Sequence, residues 1–163
     1  MSYVYFSPLP HSLIENVHET EFCLIVKESD KKRIEACIKQ HPVPGLVAIL
    51  SSKKALKQYS QAKEKDSLAS MYGFFMVDDR VLPSLKGLFA KTARAPPPIP
   101  VRVANKFASQ NIRKALESTQ MFITTGPCVN VRIARVNMDT EDIIANICQV
   151  KNRYSTCLSY PCI

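Results

Sequence analysis

Two successive aspartates, Asp78 and Asp79, close the apolar run "YGFFMV" and open the segment "DDRVLPSLKGLFAK". A hydrophobic strand ending in carboxylates is where nucleotide-hydrolysing enzymes hold magnesium. That chemistry also needs a phosphate cradle, a glycine-rich loop whose backbone N–H groups converge on the anion. The chain has four glycines, Gly45, Gly73, Gly87 and Gly126, and none falls in GxxxxGK[ST] or GxGxxG. A reading without a ligand is simpler. Asp78 or Asp79 caps the helix that follows, where a carboxylate is favourable by ~0.5–1 kcal/mol.

The other reactive residue types form no constellation. His11, His18 and His41 are scattered, with no triad or metal spacing. Of the six cysteines, Cys23 and Cys128 sit in apolar strand-like runs, and Cys37 and Cys148 on apolar helix faces. No CxxC pair or Cys-His zinc spacing occurs, so reduced structural thiols are expected. There is no Gly-x-Ser-x-Gly elbow and no paired Cys-His nucleophile. The expectation is a protein that is not an enzyme, with no catalytic residue, no metal site and no cofactor.

The elements around these residues alternate. "EFCLIVK" is a short, nearly continuous apolar run, read as a buried strand. "SDKKRIEACIKQH" follows as a helix with Ser29 or Asp30 as N-cap and Ile34, Cys37 and Ile38 at helical spacing. Two prolines and Gly45 break it before a second strand, Leu46–Leu50. "SSKKALKQYSQAKEKDSLASM" reads as helical, "YGFFMV" as the third strand, and "DDRVLPSLKGLFAKTA" as a helix with Pro83 in its first turn. "PPPIPVRV" is the fourth strand. Strands alternating with helices across short turns predict βαβ units and a parallel sheet covered on both faces.

Beyond this block the pattern changes. "SQNIRKALEST" reads as a basic helix, and "QMFITTGPCVNVRIARVNM" as two antiparallel strands around a Thr-Thr-Gly-Pro turn. In the second of these, Val129, Val131, Ile133 and Val136 alternate partly with Asn130, Arg132 and Arg135. One apolar face and one basic face are expected. "DTEDIIANICQVKNRY" is a final amphipathic helix capped by Asp139, with Asp142 at the capping-box position, and "VYFSPL" is a further strand of this part. The predicted fold class is therefore α/β with two lobes. Residues 1–20 and 104–163 form an α+β lobe from both chain ends, and residues 21–103 an inserted Rossmann-like parallel lobe.

Composition sets the partners. The 163 residues carry a net charge of +8, and 46% are apolar. That length suffices for one ordinary domain or two small lobes, and no apolar run reaches the ~20 residues of a membrane span. No basic n-region followed by an apolar stretch opens the chain, so a soluble intracellular protein without membrane association is expected. Residues 1–79 hold ten basic and ten acidic residues, whereas residues 80–138 hold ten basic residues and one acid, Glu117. Charge gathered into one third of the chain is the footprint of a polyanion binder.

Within this third, Lys86, Lys91 and Arg94 lie on and after the helix that follows strand three. Arg102, Lys106, Arg113 and Lys114 span the return to the second lobe, and Arg132 and Arg135 project from the alternating strand. Such donors beside a glycine turn contact phosphate and ribose. Aromatic content is 8%, with no stacking pair interrupting the basic strand. Recognition of folded RNA by shape and backbone is expected rather than single-strand stacking.

The ordered pieces "LPHSLI", "EFCLIVK", "LASMYGFFMVDDRVLPSLKGLFAK", "PPIPV", "NIRKALEST", "TTGPCVNVRIARVNM" and "EDIIANI" resemble the ribosomal protein L-one family over residues 8–148. The resemblance is to its eukaryotic nucleolar branch of L-one domain-containing ribosome-biogenesis proteins. "KGLFAKTARAPPPIP" stands where ribosomal members carry a Gly-Pro-rich loop. The resemblance implies a split-barrel-like α+β lobe bearing the principal rRNA contact, an inserted Rossmann-like lobe, and no catalysis. It implies rRNA or pre-rRNA and preribosomal proteins as partners, a nucleolar location and a monomer outside the particle. The implied RNA-binding residues are Lys106, Arg113, Lys114, Thr124, Thr125, Gly126, Asn130, Arg132 and Arg135.

Two alternatives stay open: a protein-binding scaffold within preribosomes with little RNA affinity of its own, and a ribosomal large-subunit protein itself. The family also places a helix before the first strand and a Ser/Thr-Gly-type strand after the last helix. The chain starts at or after the first, and "NRYSTCLSYPCI" does not match the second. An incomplete α+β lobe is therefore expected, either as a fragment or as a divergent form, with weaker RNA affinity.

Overall fold

The computed structural model describes residues 3–14, 20–59, 62–89, 97–104, 107–123 and 129–158. The chain is mixed α/β and divides into two compact units, Asn16–Arg113 and the pair Met1–Glu15 with Lys114–Ile163. They are called here the central and the terminal unit. Among the described residues no helix is long and apolar enough to cross a membrane.

The central unit is built on a four-stranded parallel sheet: β2 (Phe22–Val26), β3 (Leu46–Ser51), β4 (Phe74–Asp78) and β5 (Ile99–Val101), in spatial order β3-β2-β4-β5. The apolar runs make β2 and β4 the inner strands, and every residue of both is buried. Pro100, which has no N–H to donate, falls on the edge strand β5.

Alternation sends Cys23, Ile25, Phe75 and Val77 to one face. There they pack with Ala55 of α2 (Ser52–Gln58), Leu68 of α3 (Ala62–Met71), and Leu85 and Leu88 of α4 (Leu82–Phe89). Burial on this face pushes the Cys23 thiol up to about 12. The opposite face carries Phe22 and Phe74, whose rings stack 5.0 Å apart. Right-handed crossovers place α1 (Lys31–Gln40) on that side. Gly45, at φ 78°, makes the turn from α1 into β3, and its carbonyl accepts the Phe22 N–H.

Three local expectations change. The charged helical stretch is two helices, α2 and α3, and α2 is capped by Ser51, whose hydroxyl accepts the Lys54 N–H at 3.3 Å. Asp30 holds the N-cap position of α1 without capping it. Neither Asp78 nor Asp79 caps α4 either, because that helix begins at Leu82, after a turn closed by the Val81 N–H on the Asp78 carbonyl. Asp78 Oδ1 accepts the Arg80 N–H within that turn at 3.2 Å, and all three carboxylates pair with arginines. Arg80 donates through Nη2 to Asp78 Oδ2 at 2.7 Å and to Asp30 Oδ2, while Arg102 Nε donates to Asp79 Oδ2 at 3.1 Å.

This arrangement has a topological meaning. The strand order reverses between β2 and β4, and the crevice beyond their carboxyl ends is where open α/β sheets take ligands. Asp30 follows β2 and Asp78 ends β4, so Arg80 spans that crevice. Asp78 is fully buried, and its partner is what makes a charge tolerable there. The hydrogen bond to Arg80 holds the Asp30 carboxyl below its usual range.

The terminal unit pairs β1 (Tyr3–Pro8) antiparallel with β6 (Ser118–Ile123), from Tyr3 opposite Ile123 to Pro8 opposite Ser118. The Leu9 N–H extends the pairing to the Glu117 carbonyl at 2.9 Å. The helix α5 (Ala108–Leu116), whose residues up to Arg113 belong to the central unit, is shorter than its basic pattern, because Ser118 and Thr119 already belong to β6. The long helix α6 (Thr140–Leu158) completes the unit. Its Cys148 is exposed, contrary to the buried placement expected.

Arg80→Met should cost roughly 2–3 kcal/mol in denaturant unfolding, since it strands the buried Asp78 carboxylate. A loss under 0.5 kcal/mol would mean that Arg80 does not hold this crevice. The depressed Asp30 carboxyl also fixes a pH dependence. Its contribution is present above the unfolded pKa of about 3.9 and is lost as pH falls through the lower folded value. Asp30→Asn should therefore show a shallower fall in stability below about pH 4 than the parent protein.

Candidate nucleic-acid interface

The expected RNA-facing residues divide between the units. Lys114, Asn130, Arg132 and Arg135 belong to the terminal unit and Arg113 to the central one. Lys106, Thr124, Thr125 and Gly126 lie outside the described residues.

The segment carrying Asn130, Arg132 and Arg135 is not the strand its alternation predicts. Among the described residues its one ladder contact is an antiparallel bridge between Val131 and Met121 of β6. Side chains do the rest. The hydroxyl of buried Thr119 on β6 donates to the Arg132 carbonyl, and Asn146 Nδ2 on α6 donates to the Ile133 carbonyl at 3.0 Å. Two successive carbonyls are thus held inside. Asn130 and Arg132 are exposed, while Val131 and Ile133 are half-buried. The alternation fails at Val136, expected on the apolar face but 106% exposed.

Asn146 carries more than this one bond. The same Nδ2 donates to the His11 carbonyl at 3.0 Å, and Oδ1 accepts the His11 N–H at 3.1 Å. A fully buried amide therefore fixes two chain segments to α6, using both donors and its acceptor. His11 Nδ1 also lies 3.4 Å from Asp142 Oδ1 on the first turn of α6. These contacts make one wall of an open groove of about 430 Å³, whose lining includes His11, Ser12, Arg135, Met138 and Asp142.

The other expected residues are placed as follows. Lys114 is exposed on the last turn of α5, and its carbonyl accepts the Ser118 hydroxyl. Since Ser118 adjoins Thr119, the turn into β6 carries the anchors of both Lys114 and Arg132. Arg113 is exposed, but its Nη2 donates to the Pro42 carbonyl at 2.8 Å, so it also ties α5 to the segment after α1. Sequence reasoning missed Thr119 and Asn146. The available signal was an amide on the apolar stripe of α6, beside Ile143 and Val150.

This geometry presents cations and an amide on a clipped, extended segment. It can contact phosphate and ribose, and the two bonded carbonyls help fix which side chains face outward. Residues 7–158 match the model of the Ribosomal protein L1p/L10e family, and the chain belongs to that family. A ribosome biogenesis protein of Schizosaccharomyces pombe is 28% identical over 146 residues, covering 87% of this chain and 50% of its own length. Ribosomal L1 domain-containing protein 1 of Mus musculus is 28% identical over 158 residues, covering 91% of this chain and 34% of its own. The chain thus spans half or less of the length of these relatives.

Asn146→Ala should lower stability by about 1–3 kcal/mol, because three hydrogen bonds of a buried amide to partly buried groups at His11 and Ile133 are lost. The same variant should speed amide exchange around residues 131–135. A change below 0.5 kcal/mol with unaltered exchange would show that the clip is dispensable.

Proposed function

We propose that this chain is a non-catalytic RNA-binding module that acts on rRNA or pre-rRNA during ribosome assembly in the nucleolus. Its principal surface is Lys114, Asn130, Arg132 and Arg135 of the terminal unit. Arg113, Lys106, Thr124, Thr125 and Gly126 supply further contacts. In this reading the terminal unit is the split-barrel-like α+β lobe, the central unit is the inserted Rossmann-like lobe, and the chain is monomeric outside the particle.

The observation that carries the reading is the coincidence of family membership with charge placement. The relatives named above carry ribosome biogenesis or the L1 domain in their names. The excess positive charge lies in residues 80–138, which include the clipped segment. Engagement of Asp78 and Asp79 by Arg80 and Arg102 supports the absence of catalysis at the motif where it would be sought. A second reading, a scaffold that binds preribosomal proteins, draws on Ile144 and Ile147, two large hydrophobic side chains exposed on α6. Recovery of assembly proteins after nuclease treatment, without RNA binding by the pure chain, would favour it.

Binding to structured rRNA fragments should weaken linearly on a log–log plot against salt, as phosphate neutralisation releases counterions. Combining Lys114→Glu, Arg132→Glu and Arg135→Glu should reduce the slope by about one for each lost phosphate contact. Binding that ignores both salt and these substitutions would contradict the reading.

A further inference from the structure

One side chain of the central unit has no structural use in view. Phe107 is 60% exposed, while Ala108, Ser109 and Ile112 just after it on α5 are buried. Its carbonyl accepts the Asn111 N–H at 2.9 Å, so Phe107 stands at the start of α5, where a small polar residue would be usual. Asn111, one turn on, shares its side of the helix. The Asn111 Nδ2 donates to the Arg102 carbonyl at 2.8 Å and so brings the Arg102 main chain to that face. The Arg102 side chain is 74% exposed, and its contact with Asp79 is a surface pair that a competing anion can displace. Gln110 is exposed on the same side.

We propose that Phe107, Arg102 and Gln110 form a stacking site for one unpaired nucleotide of RNA. The ring takes the base, the guanidinium takes a phosphate, and Gln110 supplies a polar edge. This rests on the RNA-binding reading and deepens it by adding a site in the central unit. The occupant follows from what the face lacks. A protein helix seated in a groove needs several apolar anchors at helical spacing, but Phe107 is the one exposed large hydrophobic of this stretch. A single exposed ring one turn before the residue that binds the Arg102 main chain, in a third of the chain with one acid, suits an aromatic anion. Asn111 is a positioning residue, since it acts through the Arg102 main chain.

The test compares two RNAs: a fully paired hairpin, and the same hairpin with an unpaired 2-aminopurine. The parent protein should quench 2-aminopurine fluorescence and bind the unpaired form more tightly. Phe107→Ala and Phe107→Leu should both abolish the quenching and weaken that binding about tenfold, the loss of one base–aromatic stack, while leaving hairpin affinity unchanged. Phe107→Tyr should retain both signals, and Arg102→Gln should weaken binding while quenching persists at saturation. Full affinity and quenching in Phe107→Leu would overturn the stacking site and point to a simple apolar contact with another protein. If the hairpin binds and all Phe107 variants match the parent, the inference fails alone. If the parent binds neither RNA, the RNA-binding reading fails with it.

Discussion

A single buried amide holds the candidate RNA surface in place. Asn146 makes three hydrogen bonds to backbone groups that lie 135 and 13 residues away in sequence. Each such bond contributes about 1 kcal/mol net, but leaving its partner buried and unpaired costs more. That asymmetry makes the amide hard to replace. The segment from Asn130 to Arg135 has one bridge to β6 and no regular ladder. Without Thr119 and Asn146 to hold its carbonyls, the outward direction of Asn130 and Arg132 would have no fixed cause.

The central unit uses charge for a comparable end. Arg80 spans the carboxyl ends of β2 and β4 and joins the fully buried Asp78 to Asp30. In an open α/β sheet that crevice is the usual seat of a ligand. Here a guanidinium fills it, held by two carboxylates. A strand ending in aspartate can thus serve to pair with an arginine at the carboxyl edge of a sheet. The same rule, that a buried polar group needs a fitted partner, governs both units.

Much of the fold was legible because it rests on local pattern. The runs around Cys23 and Phe75 could only be buried strands, and the Leu85–Leu88 stripe only a helix face. The parallel sheet followed from their alternation. What could not be read depends on partners distant in sequence. Alternation at 129–136 reports which face is polar, but not whether a ladder or side-chain clips hold the backbone, so a strand was expected where there is one bridge. Asp30 and Asp79 looked like caps because local sequence cannot show Arg80 and Arg102 arriving from 50 and 23 residues away, while Asp78 turns to Arg80, two residues on. Cys148 was expected on a buried stripe, but α6 buries the side bearing Asn146 and Val150 instead. Phe107 carries no local signal of exposure, because an apolar residue just before a helix reads as part of its buried stripe.

Ultraviolet crosslinking of the chain to RNA in cells, followed by mass spectrometry of the RNA-linked peptides, tests the central claim most directly. The account places crosslinks within residues 102–135, above all on peptides that contain Lys114, Asn130 or Arg132. Crosslinks confined to residues 31–65, where basic and acidic residues intermix, would contradict it, as would a chain that captures no RNA at all.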